Sequence, residues 1–153
     1  MDNSFQTIRV GKNDLAYVHE ILVADAVEHG QDGAAAVRGF DASLAQDDFL
    51  SSNCFWLLIA LDHGRAAGYL SAVRIPKGDA RKAFIYVDEL WVLQAYRRRG
   101  IATALLDEIG RVGLEVGARG IRLITRVDNS AGRALYQRAG FDLQESIFCQ
   151  KLF

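Results

Sequence analysis

The chain has 153 residues, 50% hydrophobic and 24% charged, with a single proline and a formal net charge of −1. A chain of this size buries roughly 68–70% of its unfolded surface, so one domain spanning residues 1–153 is expected and intrinsic disorder is excluded. The near-neutral charge argues against a general nucleic-acid binder, and no apolar run approaches the roughly 18 residues of a membrane span.

Thr7 to Val10 reads as a short first strand. Asn13 can cap a helix running to about His29, with Leu15, Val18, Ile21, Leu22 and Val27 recurring near the helical period. Residues 30–39 hold three glycines and read as a loop, after which Asp41 can cap a second helix through Leu50. Phe55 to Leu61 and Ala66 to Ile75 read as two strands joined by the turn signal Asp62-His63-Gly64. Phe84 to Leu93 is a long fourth strand. A helix follows Gly100, with Ile101, Leu105, Ile109, Val112 and Val116 on one stripe; Gly110 and Gly113 weaken it, as close packing would require. Ile121 to Val127 reads as a fifth strand, Asn129 or Ser130 caps a last helix through Arg138, and Gly140 stops it. Phe141 to about Ile147 and Phe148 to Leu152 read as two final strands. The predicted class is α/β (α+β): a mixed, mostly antiparallel central sheet of about seven strands flanked by about four helices.

Charge is unevenly spread. Residues 13–53 carry eight acids and one base, Arg38, whereas residues 97–138 carry nine arginines and four acids. The basic half suits an anionic ligand and the acidic half a cationic one, if both border one cleft; both also fit solvated helix faces. Cys54 and Cys149 lack metal-ligand spacing, and no metal is expected. They read as buried reduced thiols, with a mutual disulfide left open by the sequence. The first residues show no basic stretch leading into an apolar one, so no secretory signal is expected and the expected compartment is the cytoplasm. His19, His29 and His63 fall into no catalytic or ligating arrangement and read as surface residues.

The most informative stretch is Val87 to Leu106, VDELWVLQAYRRRGIATALL. A strand that opens through an arginine-rich turn and a glycine into a helix leaves unpaired N–H groups at the helix start. With the helix dipole and nearby cations they form a phosphate site. Arg97, Gly100 and Ala102 fit the pattern Arg/Gln-x-x-Gly-x-Gly/Ala, and a second segment, NSAGRALYQRAGF, follows from Asn129 to Phe141. Together the two segments resemble the GNAT family of N-acetyltransferases, which transfer acetyl groups from acetyl-coenzyme A. The first is similar to that family's pyrophosphate loop and the second to its later helix. The resemblance is strongest from Phe84 onward.

The resemblance implies acetyl-CoA as co-substrate. It places its pyrophosphate on backbone N–H groups of residues 98–103 (Arg98, Arg99, Gly100, Ile101, Ala102, Thr103), with the Arg97, Arg98 and Arg99 side chains secondary. It lays the pantetheine arm between the fourth and fifth strands, with the N–H near Val92 or Leu93 on the thioester oxygen and Asn129 on the pantetheine. Tyr136 becomes the acid for the departing sulfur, assisted by Arg133. Asp88 and Glu89 resemble the acidic pair that binds and deprotonates the acceptor amine in the polyamine branch. Adjacent strand residues face opposite ways, so a regular strand offers only one of the pair to a pocket. Glu89 is preferred, because Asp88 shares parity with Leu90 and Val92; a bulge would undo this. The implied reaction is transfer to a primary amine of a small cationic acceptor. The same run also resembles type I aminoglycoside 3-N-acetyltransferases, and the sequence does not separate polyamines from aminoglycosides. Acylation of a protein lysine or N-terminus and a non-catalytic acetyl-CoA-binding module stay as alternatives. Neither nucleic acid nor membrane is an expected partner, and a homodimer is possible by analogy with the family.

Overall fold

The computed structural model describes residues 5–153. Five strands form one sheet in the order β1-β2-β3-β4-β5. They are β1 (Phe5–Arg9), β2 (Phe55–Asp62), β3 (Arg65–Arg74), β4 (Phe84–Val92) and β5 (Gly120–Arg122). Consecutive strands pair antiparallel except β4 and β5, which run parallel. His63 and Gly64 both have positive φ, +48° and +78°, which gives the β2–β3 hairpin the twist it needs.

Helices α1 (Leu15–Glu28) and α2 (Gly33–Gln46) lie on one face of the sheet. Their core joins Val18 and Ile21 to Ile59, Leu61, Ala66 and Leu93. Helices α3 (Ile101–Glu115) and α4 (Ser130–Arg138) cover the other face. There Ile101, Leu105, Ile109 and Val112 pack on Leu58, Ala60, Leu70, Ala72 and Ile85. Successive residues of β2 alternate between the two cores, as the pleat requires. Glu108 is buried in α3 but satisfied: it takes a hydrogen bond from Arg9 Nε at 2.8 Å and pairs with Arg111.

The structure differs from the sequence reading in several places. The glycine-rich stretch 30–39 is mostly helix, because Asp32, not Asp41, caps α2 by accepting from the N–H groups of Ala34 and Ala35. Asp41 instead meets His19 Nε2 at 2.7 Å. Asn13 lies in a 3-10 turn that precedes α1. The fifth strand stops at Arg122, and neither strand expected after Phe141 forms among the described residues. A strand persists only where a neighbour takes its backbone donors and acceptors, and among the described residues no strand pairs with residues 123–127 or 141–153. Leu123 and Phe141 still pack on the core, but most of the other apolar side chains stay exposed, Ile147 at 90% and Phe148 at 65%. Cys149 is exposed rather than buried, Cys54 is half-buried, and both are free thiols.

Candidate active site

Strands β4 and β5 pair only from Phe84 to Tyr86 against Gly120 to Arg122. Beyond that point they fork. A cavity of about 520 Å³ opens in the fork, bordered by Val87 to Trp91 on one side and Leu123 to Arg126 on the other. It reaches Asp25, His29 and Gln31 beside α1, and Asn129 and Tyr136 beside α4.

A bulge shapes the β4 side. Ser71 pairs with Glu89 and the next residue, Ala72, pairs with Val87, so Asp88 has no partner in β3. The extra residue breaks the strand's parity. Asp88 and Glu89 therefore both line the cavity, which the regular-strand reading forbade. Burial pushes the Glu89 carboxyl above its ordinary range, and repulsion from Asp88 and Asp25 adds to this. The bulge also sets the direction of the backbone. Leu93 N–H is committed to Ala67 O at 3.0 Å, so Leu93 is not an available donor. Antiparallel partners alternate, so the Val92 N–H points away from β3 and toward the fork.

After β4 the chain makes a 3-10 turn, Gln94–Tyr96, and reaches the arginine run. Arg98 and Gly100 have positive φ, +61° and +85°. At Gly100 this left-handed backbone is what demands glycine: an added Cβ would meet nothing closer than Phe5 Cζ at 3.7 Å. Among the described residues, no hydrogen bond engages the N–H groups of Arg98, Arg99, Gly100, Ile101, Ala102 or Thr103, and α3 has no side-chain cap. Six bare amides at a helix start suit an anionic group.

The arginine side chains are largely occupied. Arg97 donates from Nε to Val92 O at 2.8 Å and lies 4.6 Å over the Trp91 ring. Arg99 pairs with the buried carboxylate of Asp62 at 3.0 Å. Arg133 donates to Val127 O at 3.0 Å, which ties it to the loop before α4 rather than to Tyr136. Asn129 is likewise engaged: Oδ1 accepts from Gly132 N–H and Nδ2 donates to Thr125 Oγ1, both at 3.0 Å. It still borders the cavity. A Cβ on Gly132 would fall 2.3 Å from Asn129 Nδ2, so glycine there is required for the cap.

Tyr136 is 9% exposed, packs edge-on against Phe141 and borders the cavity. Burial raises its hydroxyl pKa. Full proton transfer to a thiolate would need the opposite shift, so this hydroxyl is suited to donating a hydrogen bond.

Three cavity residues escaped the sequence reading. His29, set aside as a surface residue, stacks on Trp91 with ring centroids 4.9 Å apart. Asp25 and Tyr69 border the cavity as well. For Asp25 the only sequence signal was the acidic composition of residues 13–53, which carries no spacing; His29 and Tyr69 carried none. Glu28, just outside, accepts from Gln94 N–H at 2.5 Å and Trp91 Nε1 at 3.3 Å and so ties α1 to the end of β4.

The chain is similar to known proteins along most of its length. It is 27% identical over 111 residues to an aminoglycoside N(6')-acetyltransferase type 1 of Salmonella typhimurium, covering 70% of this chain and 77% of that one. It is 34% identical over 89 residues to the N-alpha-acetyltransferase MAK3 of Arabidopsis thaliana, covering 58% of this chain and 44% of that one. The structure superimposes on an aminoglycoside acetyltransferase from an uncultured soil metagenomic sample with a TM-score of 0.73 and 28% identity, covering 97% of this chain and 99% of that one. It also matches the fold of AAC(6')-Iy, solved in complex with a bisubstrate analog, CoA-S-monomethyl-acetylneamine, with a TM-score of 0.74, 23% identity and coverage of 97% and 99%. The model of the acetyltransferase (GNAT) family matches residues 13–141. A forked sheet that opens beside bare amides at a helix start and a match of this extent lead to one conclusion: the chain is an acyltransferase that belongs to the acetyltransferase (GNAT) family.

Proposed function

We propose that this protein transfers an acetyl group from acetyl-CoA to a primary amine of a small polycationic acceptor, aminoglycoside- or polyamine-like, by direct attack on the thioester. The observation that carries the reading is the fork. Asp88 and Glu89 border it from β4, Tyr136 borders it from α4, and the unengaged amides of residues 98–103 lie just past the end of β4. The pyrophosphate of acetyl-CoA takes those amides, and the pantetheine arm fills the gap where β5 leaves β4. A protonated primary amine of pKa about 10.4 costs roughly 4–5 kcal/mol to deprotonate at pH 7. Glu89, whose proton affinity is raised, accepts that proton. The amine nitrogen then attacks the thioester carbon. The Val92 N–H receives the developing oxyanion; as it collapses the carbon–sulfur bond breaks, the nitrogen gives up its second proton to solvent, and Tyr136 hydrogen-bonds the departing thiolate, which takes a proton from water to leave as free coenzyme A.

The cavity's charge favours a cationic acceptor. Asp25, Asp88 and Glu89 line it, whereas its arginine, Arg126, is paired with Asp128 at 3.0 Å. The similarity to aminoglycoside acetyltransferases supports the same class. A second reading, acetylation of a protein N-terminus, is supported by the 34% identity to MAK3. The same proposal includes a homodimer, with the exposed apolar side chains of residues 147–153 as its contact; sedimentation tests it, and a monomer at all concentrations removes it.

Calorimetry with acetyl-CoA, followed by mass spectrometry of an acceptor panel of aminoglycosides, polyamines and peptides, tests the reading. Acetylation of the polycations with little transfer to peptides is the expected result. Transfer to peptides alone establishes the second reading. Binding of acetyl-CoA with no transfer to any acceptor establishes a non-catalytic module, and absence of binding overturns both readings.

A further inference from the structure

Asp25 and Glu28 occupy the last turn of α1, with no base in that turn. Acids there oppose the helix dipole, so local energetics disfavour both. Glu28 is compensated by the Gln94 N–H and the Trp91 indole. Asp25 is not. Its Oδ1 is buried and receives no hydrogen bond among the described residues. The His29 Nδ1 lies 3.3 Å from that Oδ1, but the same nitrogen meets the Asp25 carbonyl oxygen at 2.8 Å. A poorly satisfied carboxylate at the wrong end of a helix is expensive, and such local conflicts concentrate where charge is used. The Asp25 side chain keeps 24% of its surface exposed and borders the cavity that holds Glu89.

From this we infer that Asp25 is a specificity-determining residue that binds a second, non-reacting ammonium of the acceptor. The inference rests on the reaction proposed above. One carboxylate cannot serve both needs well. A carboxylate that grips an ammonium stabilises the protonated form, whereas the attacking nitrogen must be neutral. Dividing the tasks resolves the conflict: Glu89, on β4, faces the reacting amine, and Asp25, on α1, holds a cation that never loses its proton. The two carboxylates lie close enough for Asp25 to raise the Glu89 proton affinity. A cavity of about 520 Å³ has room for a molecule that carries both nitrogens.

The test compares the triamine spermidine with the monoamine hexylamine in the parent chain and in Asp25→Asn. Asn keeps the shape and removes the charge. The expected result is a spermidine KM raised about 10- to 100-fold, the worth of one charge-assisted hydrogen bond, with kcat within about threefold. The hexylamine KM and the dissociation constant of acetyl-CoA stay as in the parent. An unchanged spermidine KM overturns the inference while leaving the reaction standing. So does an equal loss for both amines, which marks a merely structural role. If Asp25→Asn fails to fold, the parent chain supplies the answer: a bis-tertiary diamine, N,N,N′,N′-tetramethyl-1,6-diaminohexane, whose ammonium groups each keep one N–H but form no stable amide, should compete with spermidine at least about tenfold better than N,N-dimethylhexylamine. Equal competition overturns the inference. No transfer to either amine by a parent chain that binds acetyl-CoA removes the proposed reaction itself, and this inference with it.

Discussion

Tyr136 owes its chemistry to where α4 places it. Its burial keeps the hydroxyl protonated beyond the ordinary range, so it can donate a hydrogen bond at any working pH but is a poor source of a free proton. Tyr136→Phe should lower kcat by about ten- to a thousandfold with acetyl-CoA affinity unchanged, as read by steady-state kinetics and calorimetry. An unchanged kcat removes the residue from the mechanism. Glu89 makes a prediction of the opposite kind. Its folded-state pKa lies above the ordinary carboxylate value, so the base form is lost as pH falls through that raised value. The acidic limb of the pH–rate profile should therefore lie above the ordinary carboxylate range and flatten in Glu89→Gln more than in Asp88→Asn. The same shift has a consequence for stability. A group whose folded pKa is raised contributes stability at low pH that is lost as pH rises through that value. Glu89→Gln should melt above the parent at neutral pH and level with it well below the carboxylate range; calorimetric scans at the two pH values decide.

At the scale of elements, α3 has slack that its glycines leave unused. Nothing within 4 Å would meet a Cβ on Gly110, and at Gly113 the nearest atom, Ile85 Cδ1, is 3.6 Å away, an ordinary contact. Neither glycine is demanded by packing, contrary to the sequence expectation. Gly110→Ala should stabilise the fold by about 0.5–1 kcal/mol, read as a shifted denaturant midpoint at constant slope. Gly68 on β3 is the reverse case. A Cβ there would fall 2.8 Å from the Trp91 carbonyl oxygen, and a backbone atom at the mouth of the fork cannot swing aside. Gly68→Ala should cost about 1–3 kcal/mol and weaken acetyl-CoA binding, measured by denaturation and calorimetry. Most of the elements themselves were legible. The 3.6-residue stripe of α3 and the apolar runs of β2 and β3, with the Asp62-His63-Gly64 turn between them, each depend on nearest neighbours in the chain. The loop read into residues 30–39 was not helix-like by composition, and the Asp32 cap that starts α2 outweighed the glycines.

Across the whole molecule, the acidic stretch and the arginine-rich stretch do border one cavity. Asp25 comes from the first, Arg126 and Asn129 from the second. Because long-range attraction is screened by salt, raising ionic strength from about 0.05 to 0.5 M should raise the KM of a polycationic acceptor several-fold while leaving that of a neutral-backbone monoamine less affected. Kinetics at the two salt concentrations check this.

Sequence alone determined the family, the glycine-dependent turn at Gly100, a helix cap at Asn129 or Ser130 and the candidacy of Asp88, Glu89 and Tyr136, because each is written in residues a few positions apart. Only the tertiary structure decided which of them meet. The bulge at Asp88 turned both acids of the pair to the cavity, the β3 ladder took the Leu93 amide and turned that of Val92 to the fork, and α1 brought in Asp25 and His29 from more than 50 residues away. Register and the ends of strands depend on partners distant in the chain, and that pairing is not encoded in any local spacing.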